Sequence, residues 1–119
     1  MASVDRSRVI RLADARAQIP GPSGEHAVSV FTRGTLNALL SLGRFAPRRP
    51  TGAAAHDQDE IYLIVSGRGV LSHGGARDAF GPGDLLFVAA GTEHRFEDFT
   101  DDLVVWVVFY GVRGGEITA

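Results

Sequence analysis

Short apolar runs that alternate with glycine-containing turns dominate the middle of this 119-residue chain. Between Gly52 and Gly91, a polar cluster leads into an apolar run over 61–65, and a second run covers 85–88. Fifteen glycines and five prolines interrupt the chain. Short runs at spacings of about 8–12 residues are typical of a β-sandwich or a β-barrel. The pattern therefore predicts an all-β fold.

Further strands are expected on both sides of this stretch. The alternation from Leu36 to Leu42 favours a strand over a helix, because Gly34 and Gly43 enclose only eight residues. One or two helical turns are expected over 14–19, ending before Pro20. The remaining strands are expected at 27–32, 60–65, from 70 onward, 77–80, 85–88, 94–96 and 103–110, with a loop over 45–55.

Composition limits the classes of function. The chain has no cysteine, which excludes disulfides and thiolate metal sites. Its net charge is only −2 and its arginines are scattered, so we expect no nucleic-acid partner. No apolar stretch of about 18 residues and no apolar leader segment is present, so no membrane partner and a cytoplasmic location are expected. The length predicts one domain over residues 1–119.

Polar residues alternate where the first apolar run begins. His56, Gln58 and Glu60 would share one face of a straight strand, and Tyr62 would continue that face inward. Asp57 and Asp59 would then face solvent or cap the turn.

The sequence also suggests the surroundings of one further histidine and of three aromatic residues. His73, beside Gly74, is expected to be a solvated turn residue. Tyr62, Phe96 and Trp106 could line a pocket, although aromatic residues in a barrel more often serve packing.

Seven residues in this region are spaced as in the two motifs of the cupin superfamily of small β-barrels, which the chain resembles. Motif 1 (about 52–67) is matched by Gly52, His56, Glu60 and Gly67, and motif 2 (about 83–98) by Gly83, Gly91 and His94. The chain departs from the family pattern at Ala54, Ala89 and Asp98, where the family has His, Pro and Asn. The resemblance implies a single-domain cupin-type β-barrel, that is, a jelly-roll-like double-stranded β-helix.

The resemblance also implies a metal site. His56, Glu60 and His94 would hold one divalent transition metal as a two-His, one-carboxylate triad, and Fe, Mn, Ni, Zn and Cu all suit such ligands. Ala54 cannot coordinate, so Gln58, water or substrate could occupy its position. The structural interpretation stays open: a barrel histidine is often a hydrogen-bonded core residue, and Glu60 could pair with an arginine.

Three functions are compatible with these residues. The first is an enzyme (an oxygenase, isomerase or lyase) acting on a small polar molecule, with no catalytic residue assigned. The second is a non-catalytic barrel that binds a sugar-like ligand, with or without metal. The third is a metal-free barrel that serves in an assembly. The resemblance further implies a homodimer.

Overall fold

The structure is a computed structural model that describes residues 7–32, 36–41 and 57–115. One short helix and eight strands follow one another along the described chain. They are α1 (Leu12–Arg16), β1 (Ala27–Thr32), β2 (Leu36–Ser41), β3 (Asp59–Ser66), β4 (Gly69–His73), β5 (Ala76–Phe80), β6 (Leu85–Val88), β7 (His94–Glu97) and β8 (Val104–Tyr110).

The strands form two antiparallel sheets. The larger sheet has the order β1-β2-β8-β3-β6, and the smaller has the order β5-β4-β7. Strand β8 is the longest apolar run of the sequence, and it lies in the middle of the larger sheet between β2 and β3. A strand with neighbours on both sides and covered faces favours such nearly continuous apolar sequence.

The main core lies between the two sheets. Alternate residues of β3, such as Tyr62 and Ile64, point from the larger sheet toward Leu71, Phe80 and Phe96 of the smaller one. Burying apolar side chains from both inner faces is what holds two packed sheets together. The inner face is therefore where a buried polar group needs a specific partner.

A second, smaller cluster covers part of the outer face of the larger sheet. Helix α1 packs there through Ala15, which is buried together with Ile19, Leu39 and Val104. Trp106 belongs to this cluster and pairs with Leu39 across the strands. Trp106 thus faces away from the main core and serves packing, the role that the sequence favours over lining a pocket.

The all-β, jelly-roll-like prediction is confirmed, including the choice of a strand over a helix for 36–41. The helix begins at Leu12, earlier than the expected Asp14, because Leu12 and Ala15 supply its buried face. The expected loop at 45–55 lies outside the described residues. Within the described ranges, no helix has the length and apolar character needed to cross a membrane.

The glycine that ends motif 1 gives a stability prediction. Gly67 has φ +90°, and a Cβ there would lie 2.6 Å from the Cα of Leu103. Gly67→Ala is therefore expected to lower the free energy of unfolding by about 3 kcal/mol, because it combines left-handed backbone strain with a backbone clash.

Gly83→Ala is the matched control, since Gly83 has φ +86° with open space around the added methyl. It is expected to cost only about 1 kcal/mol. Urea unfolding of both variants checks the difference, and equal losses would show that the contact with Leu103 is unimportant.

Candidate functional site

Strand β3 carries two polar side chains into the core. Glu60 and Tyr62 are two residues apart, so they share the inner face of the sheet. Both are buried, Glu60 with 1% and Tyr62 with 5% of its surface exposed. The ring of Tyr62 packs edge-on against Phe96 at 5.0 Å between centroids. This packing holds the hydroxyl of Tyr62 beside the carboxylate of Glu60.

His94 reaches the same place from the smaller sheet. It is the first residue of β7, and it follows a turn closed by the Thr92 N–H donating to the Ala89 carbonyl at 3.1 Å. Asp59 accepts the Ala90 N–H at 2.9 Å, which ties this turn to β3. Asp59 is buried at 8% exposure and caps this turn, whereas Asp57 is exposed. Both expected roles are therefore found: Asp59 caps the turn, and Asp57 faces solvent.

The three side chains form a compact polar cluster, which we call the Glu60–Tyr62–His94 cluster. The Tyr62 hydroxyl donates to Glu60 Oε2 at 2.7 Å and lies 2.9 Å from His94 Nε2. Nε2 also lies 3.1 Å from Glu60 Oε1. The two motifs therefore bring their carboxylate and imidazole into direct contact inside the core.

The orientation of the imidazole follows from its other nitrogen. His94 Nδ1 lies 2.9 Å from the carbonyl oxygen of Thr92. Since a carbonyl only accepts hydrogen bonds, Nδ1 carries a hydrogen. In neutral His94, Nε2 therefore presents its lone pair toward Glu60 and Tyr62, which is the arrangement a metal-binding histidine needs.

The surroundings shift two pKa values in the cluster. Burial lowers the pKa of His94, but its hydrogen bonds to Glu60 and to the Thr92 carbonyl, with the charge of Glu60, raise that pKa more. The net result is a pKa above the usual value for histidine. Burial and the adjacent Glu60 carboxylate raise the pKa of Tyr62, so its phenol is neutral in the metal-free protein.

Two other predicted site residues, His56 and Gln58, have different outcomes. His56 lies outside the described residues, as does Ala54. Gln58 precedes β3 in a bend, and its amide donates to the Gly111 carbonyl at 2.7 Å. Because the strand begins only at Asp59, the straight alternation expected from 56 to 60 does not extend to Gln58.

A complete metal-ligand set is not evident in the part of the chain that the structure describes. No group of three or more His, Cys, Asp or Glu side chains converges there. Glu60 and His94 nevertheless fit as two of the ligands, because the carboxylate oxygen and the imidazole Nε2 lie 3.1 Å apart, close enough for both to bond one ion.

His73 differs from the expectation of a solvated turn residue. It is the last residue of β4, pairs with His94 across the strands, and is 29% exposed at its side chain. Its Nε2 lies 2.7 Å from Asp78 Oδ2. The glycines of the hairpin turn begin at Gly74, one residue later, so His73 is still part of strand β4.

A cavity of about 270 Å³ lies at the hairpin end of the smaller sheet. Ser72 and Arg95 line it, and they are register partners on the face opposite to Leu71 and Phe96. Its lining also includes Glu93 and His94, so the cavity adjoins the Glu60–Tyr62–His94 cluster at the imidazole.

Comparison with known proteins agrees with this architecture. The family described as "Cupin domain" matches residues 41–110, which is more than half of the chain. The chain therefore belongs to the cupin domain family, as its two motifs predict.

Individual relatives extend the likeness in fold. A stretch of 54 residues is 41% identical to the uncharacterized protein SCO3923 of Streptomyces coelicolor, covering 45% of this chain and about half (51%) of that protein. A cupin 2 conserved barrel domain protein from Salinispora arenicola has a TM-score of 0.66 at 23% identity, covering 89% of this chain and 91% of that one.

A third similar structure is a predicted oxalate decarboxylase from Thermotoga maritima. Its TM-score is 0.63 at 24% identity, with 72% of this chain and 79% of that chain covered. At this level of identity the likeness concerns the fold, which hosts many different functions.

Proposed function

We propose that this cupin binds one divalent transition metal through His56, Glu60 and His94 and acts on a small polar molecule. The observation that carries the proposal is the contact of 3.1 Å between Glu60 Oε1 and His94 Nε2. These two atoms belong to residues remote in sequence, yet both are buried and face one point. Burying a carboxylate and an imidazole is costly unless they are paired or hold a cation.

The chain's own residues prepare this site. The Thr92 carbonyl fixes the tautomer of His94, so Nε2 is the nitrogen available to an ion. The Tyr62 hydroxyl donates to one oxygen of Glu60 and so restrains the carboxylate. When bound, the metal supplies Lewis acidity, which polarises a substrate oxygen or activates water.

An oxygenase, an isomerase and a lyase all remain within this proposal, because they can share a two-His, one-carboxylate site. The described inner face presents no separate group that would serve as a general base, since Glu60 and His94 are committed to each other. The substrate's own oxygens would then bind the open positions beside the ligands.

A second candidate function rests on a different property of the same cluster. Tyr62, Glu60 and His94 already hydrogen-bond one another, so the cluster can be satisfied as a structural core network. Under this alternative, the protein is a non-catalytic barrel for a sugar-like ligand, and metal is not needed.

Metal analysis separates the two candidates. Wild-type protein purified without chelator is expected to hold close to one transition metal per chain. His94→Gln and Glu60→Gln are expected to lower this content to a tenth or less, because each removes a ligand. His26→Gln, a histidine outside the cluster, is the matched control and should keep the metal.

The proposal fails if wild-type protein holds no metal and takes up none of Fe, Mn, Ni, Zn or Cu on addition. That result would favour the metal-free barrel, which is then tested by screening sugars for a shift in melting temperature.

A homodimer is part of the proposal. Among the described strands, β6 lies at the edge of the larger sheet. Its outer face and that of β3 expose Leu63, Leu85 and Phe87 at 41%, 58% and 52%. Leu63 pairs with Leu85 across the two strands, and Phe87 is the next residue of β6 on the same face. Helix α1 packs elsewhere on the sheet. A contiguous apolar face beside an open edge favours association with a second copy.

Sedimentation of the wild type and of the double variant Leu85→Glu/Phe87→Glu checks this. The wild type is expected to sediment as a dimer at micromolar concentration and the variant as a folded monomer, because four buried charges would face one another across the interface. Val9→Glu, an exposed apolar residue outside this face, is the control. A monomeric wild type would refute the dimer.

A further inference from the structure

The Tyr62 hydroxyl occupies an unusual position for a residue that only packs. It lies 2.7 Å from Glu60 Oε2 and 2.9 Å from His94 Nε2, so it touches both predicted metal ligands at once. The other carboxylate oxygen, Glu60 Oε1, lies 3.1 Å from Nε2. The phenol oxygen, the imidazole nitrogen and the two carboxylate oxygens thus meet in one place.

These distances match those between neighbouring ligands of a metal ion. Donors at right angles around an ion, with bonds of roughly 2.1 Å, lie about 3 Å apart. The hydroxyl of Tyr62 is therefore placed where it can bond to an ion held by Glu60 and His94.

The sequence gives an independent reason to look for another donor. The family pattern has a histidine where this chain has Ala54, and a methyl group cannot coordinate. Gln58, the other candidate from the sequence, is engaged with the Gly111 carbonyl. Tyr62, in contrast, directs an oxygen to the ligands from inside the core.

We propose that the phenol oxygen of Tyr62 is itself a ligand of the metal, supplying the donor that is absent at Ala54. The inference rests on the proposed metal function and adds an oxygen to its ligand set. On coordination the phenol releases its proton to solvent and the O–metal bond replaces the O–H bond, with no change in oxidation state. Two imidazole nitrogens, a carboxylate and a phenol oxygen also suit Fe(III), which serves here as a spectroscopic probe of the site.

The test uses the colour of iron phenolates. Metal-free protein receives one equivalent of Fe(III) as its nitrilotriacetate complex, and the visible spectrum is recorded. Wild type is expected to develop a phenolate-to-Fe(III) charge-transfer band with tyrosinate modes in the resonance Raman spectrum. Because these signals come from the wild type, they do not depend on whether a variant folds.

Two variants assign the band, since the chain has only two tyrosines. Tyr62→Phe is expected to lose the band and to bind Zn(II) at least about tenfold more weakly. It keeps the ring that packs on Phe96. Tyr110→Phe is the matched control and should keep both, because Tyr110 pairs with Asp59 while Phe109 pairs with Glu60, which places Tyr110 on the opposite face.

Each outcome decides between the two proposals. Bound iron without the band, or a band that persists in Tyr62→Phe, overturns the role of Tyr62 and leaves the metal function standing. No binding of Fe(III), nor of any of the divalent ions of Fe, Mn, Ni, Zn and Cu, by the wild type overturns both. A band present in wild type and Tyr110→Phe but absent in Tyr62→Phe supports both.

Discussion

Replacing either Glu60 or His94 by leucine is expected to destabilise the metal-free protein by about 3–5 kcal/mol, whereas replacing both should cost much less than the sum. Each single change leaves a buried polar partner facing an apolar group, and this partner keeps its contact with Tyr62 but loses the other one while it stays out of water. The double change removes both groups together. A loss of this size is a large fraction of the roughly 5–15 kcal/mol that stabilises a typical domain.

A double-mutant cycle in the presence of chelator measures this coupling. Urea unfolding of Glu60→Leu, His94→Leu and the double variant is expected to give a coupling energy of about 2 kcal/mol or more. Arg77 and Asp98 form the control pair, since they lie 3.2 Å apart but are exposed. Their coupling should stay below about 1 kcal/mol. Additive losses at Glu60 and His94 would contradict the close contact between them.

The architecture could be predicted because local patterns and global packing agree. Leu36 to Ser41 is helix-prone by composition, yet its alternation lets Ala38 and Leu40 face one core while Leu39 faces another. A strand buried on both faces satisfies this pattern better than a helix, since successive side chains point to opposite sides. The alternation of residues with a period of two therefore predicted this element better than the helix propensity of its residue types did.

The network around the site was only partly predictable. Spacing places Tyr62 on the same face as Glu60, but it does not reveal that its hydroxyl reaches His94, which comes from another sheet. The cap by Asp59 likewise depends on a turn 31 residues away. Contacts of this kind arise from the way the two sheets and the turn before β7 pack together, and alternation within one strand carries no information about that packing.

For His73, the sequence indicated where the turn lies but not what the side chain contacts. Two glycines next to it indicated a solvated tip, and the tip does begin there, at Gly74. What the sequence could not show is the contact between His73 and Asp78. This contact holds the imidazole against the edge strand β5. Because the turn begins one residue later than expected, His73 belongs to the strand, and its side chain is 29% exposed and paired with Asp78.

Protons and metal should act in opposite directions on the stability of this protein. The pKa of His94 is raised in the metal-free fold, because its bonds to Glu60 and Thr92 outweigh the effect of burial. Its stabilising contribution is therefore complete below the unfolded-state pKa of about 6.5 and is lost as the pH rises through the higher folded value. Metal-free protein should accordingly become less stable as the pH rises above the unfolded-state value, on account of this group.

Metal binding reverses that trend, because the ion needs the Nε2 lone pair that the proton occupies at lower pH. Below the folded pKa of His94, each unit of acidification should weaken binding at least about tenfold, and tenfold equals about 1.4 kcal/mol of the stabilisation that saturating metal gives. Thermal unfolding with and without Zn(II) at pH 5.5 and pH 8 checks both slopes: the ion should raise the melting temperature strongly at pH 8 and little at pH 5.5. His26→Gln should keep both slopes and His94→Gln should lose both, while an equal gain from Zn(II) at the two pH values would place the ion away from His94.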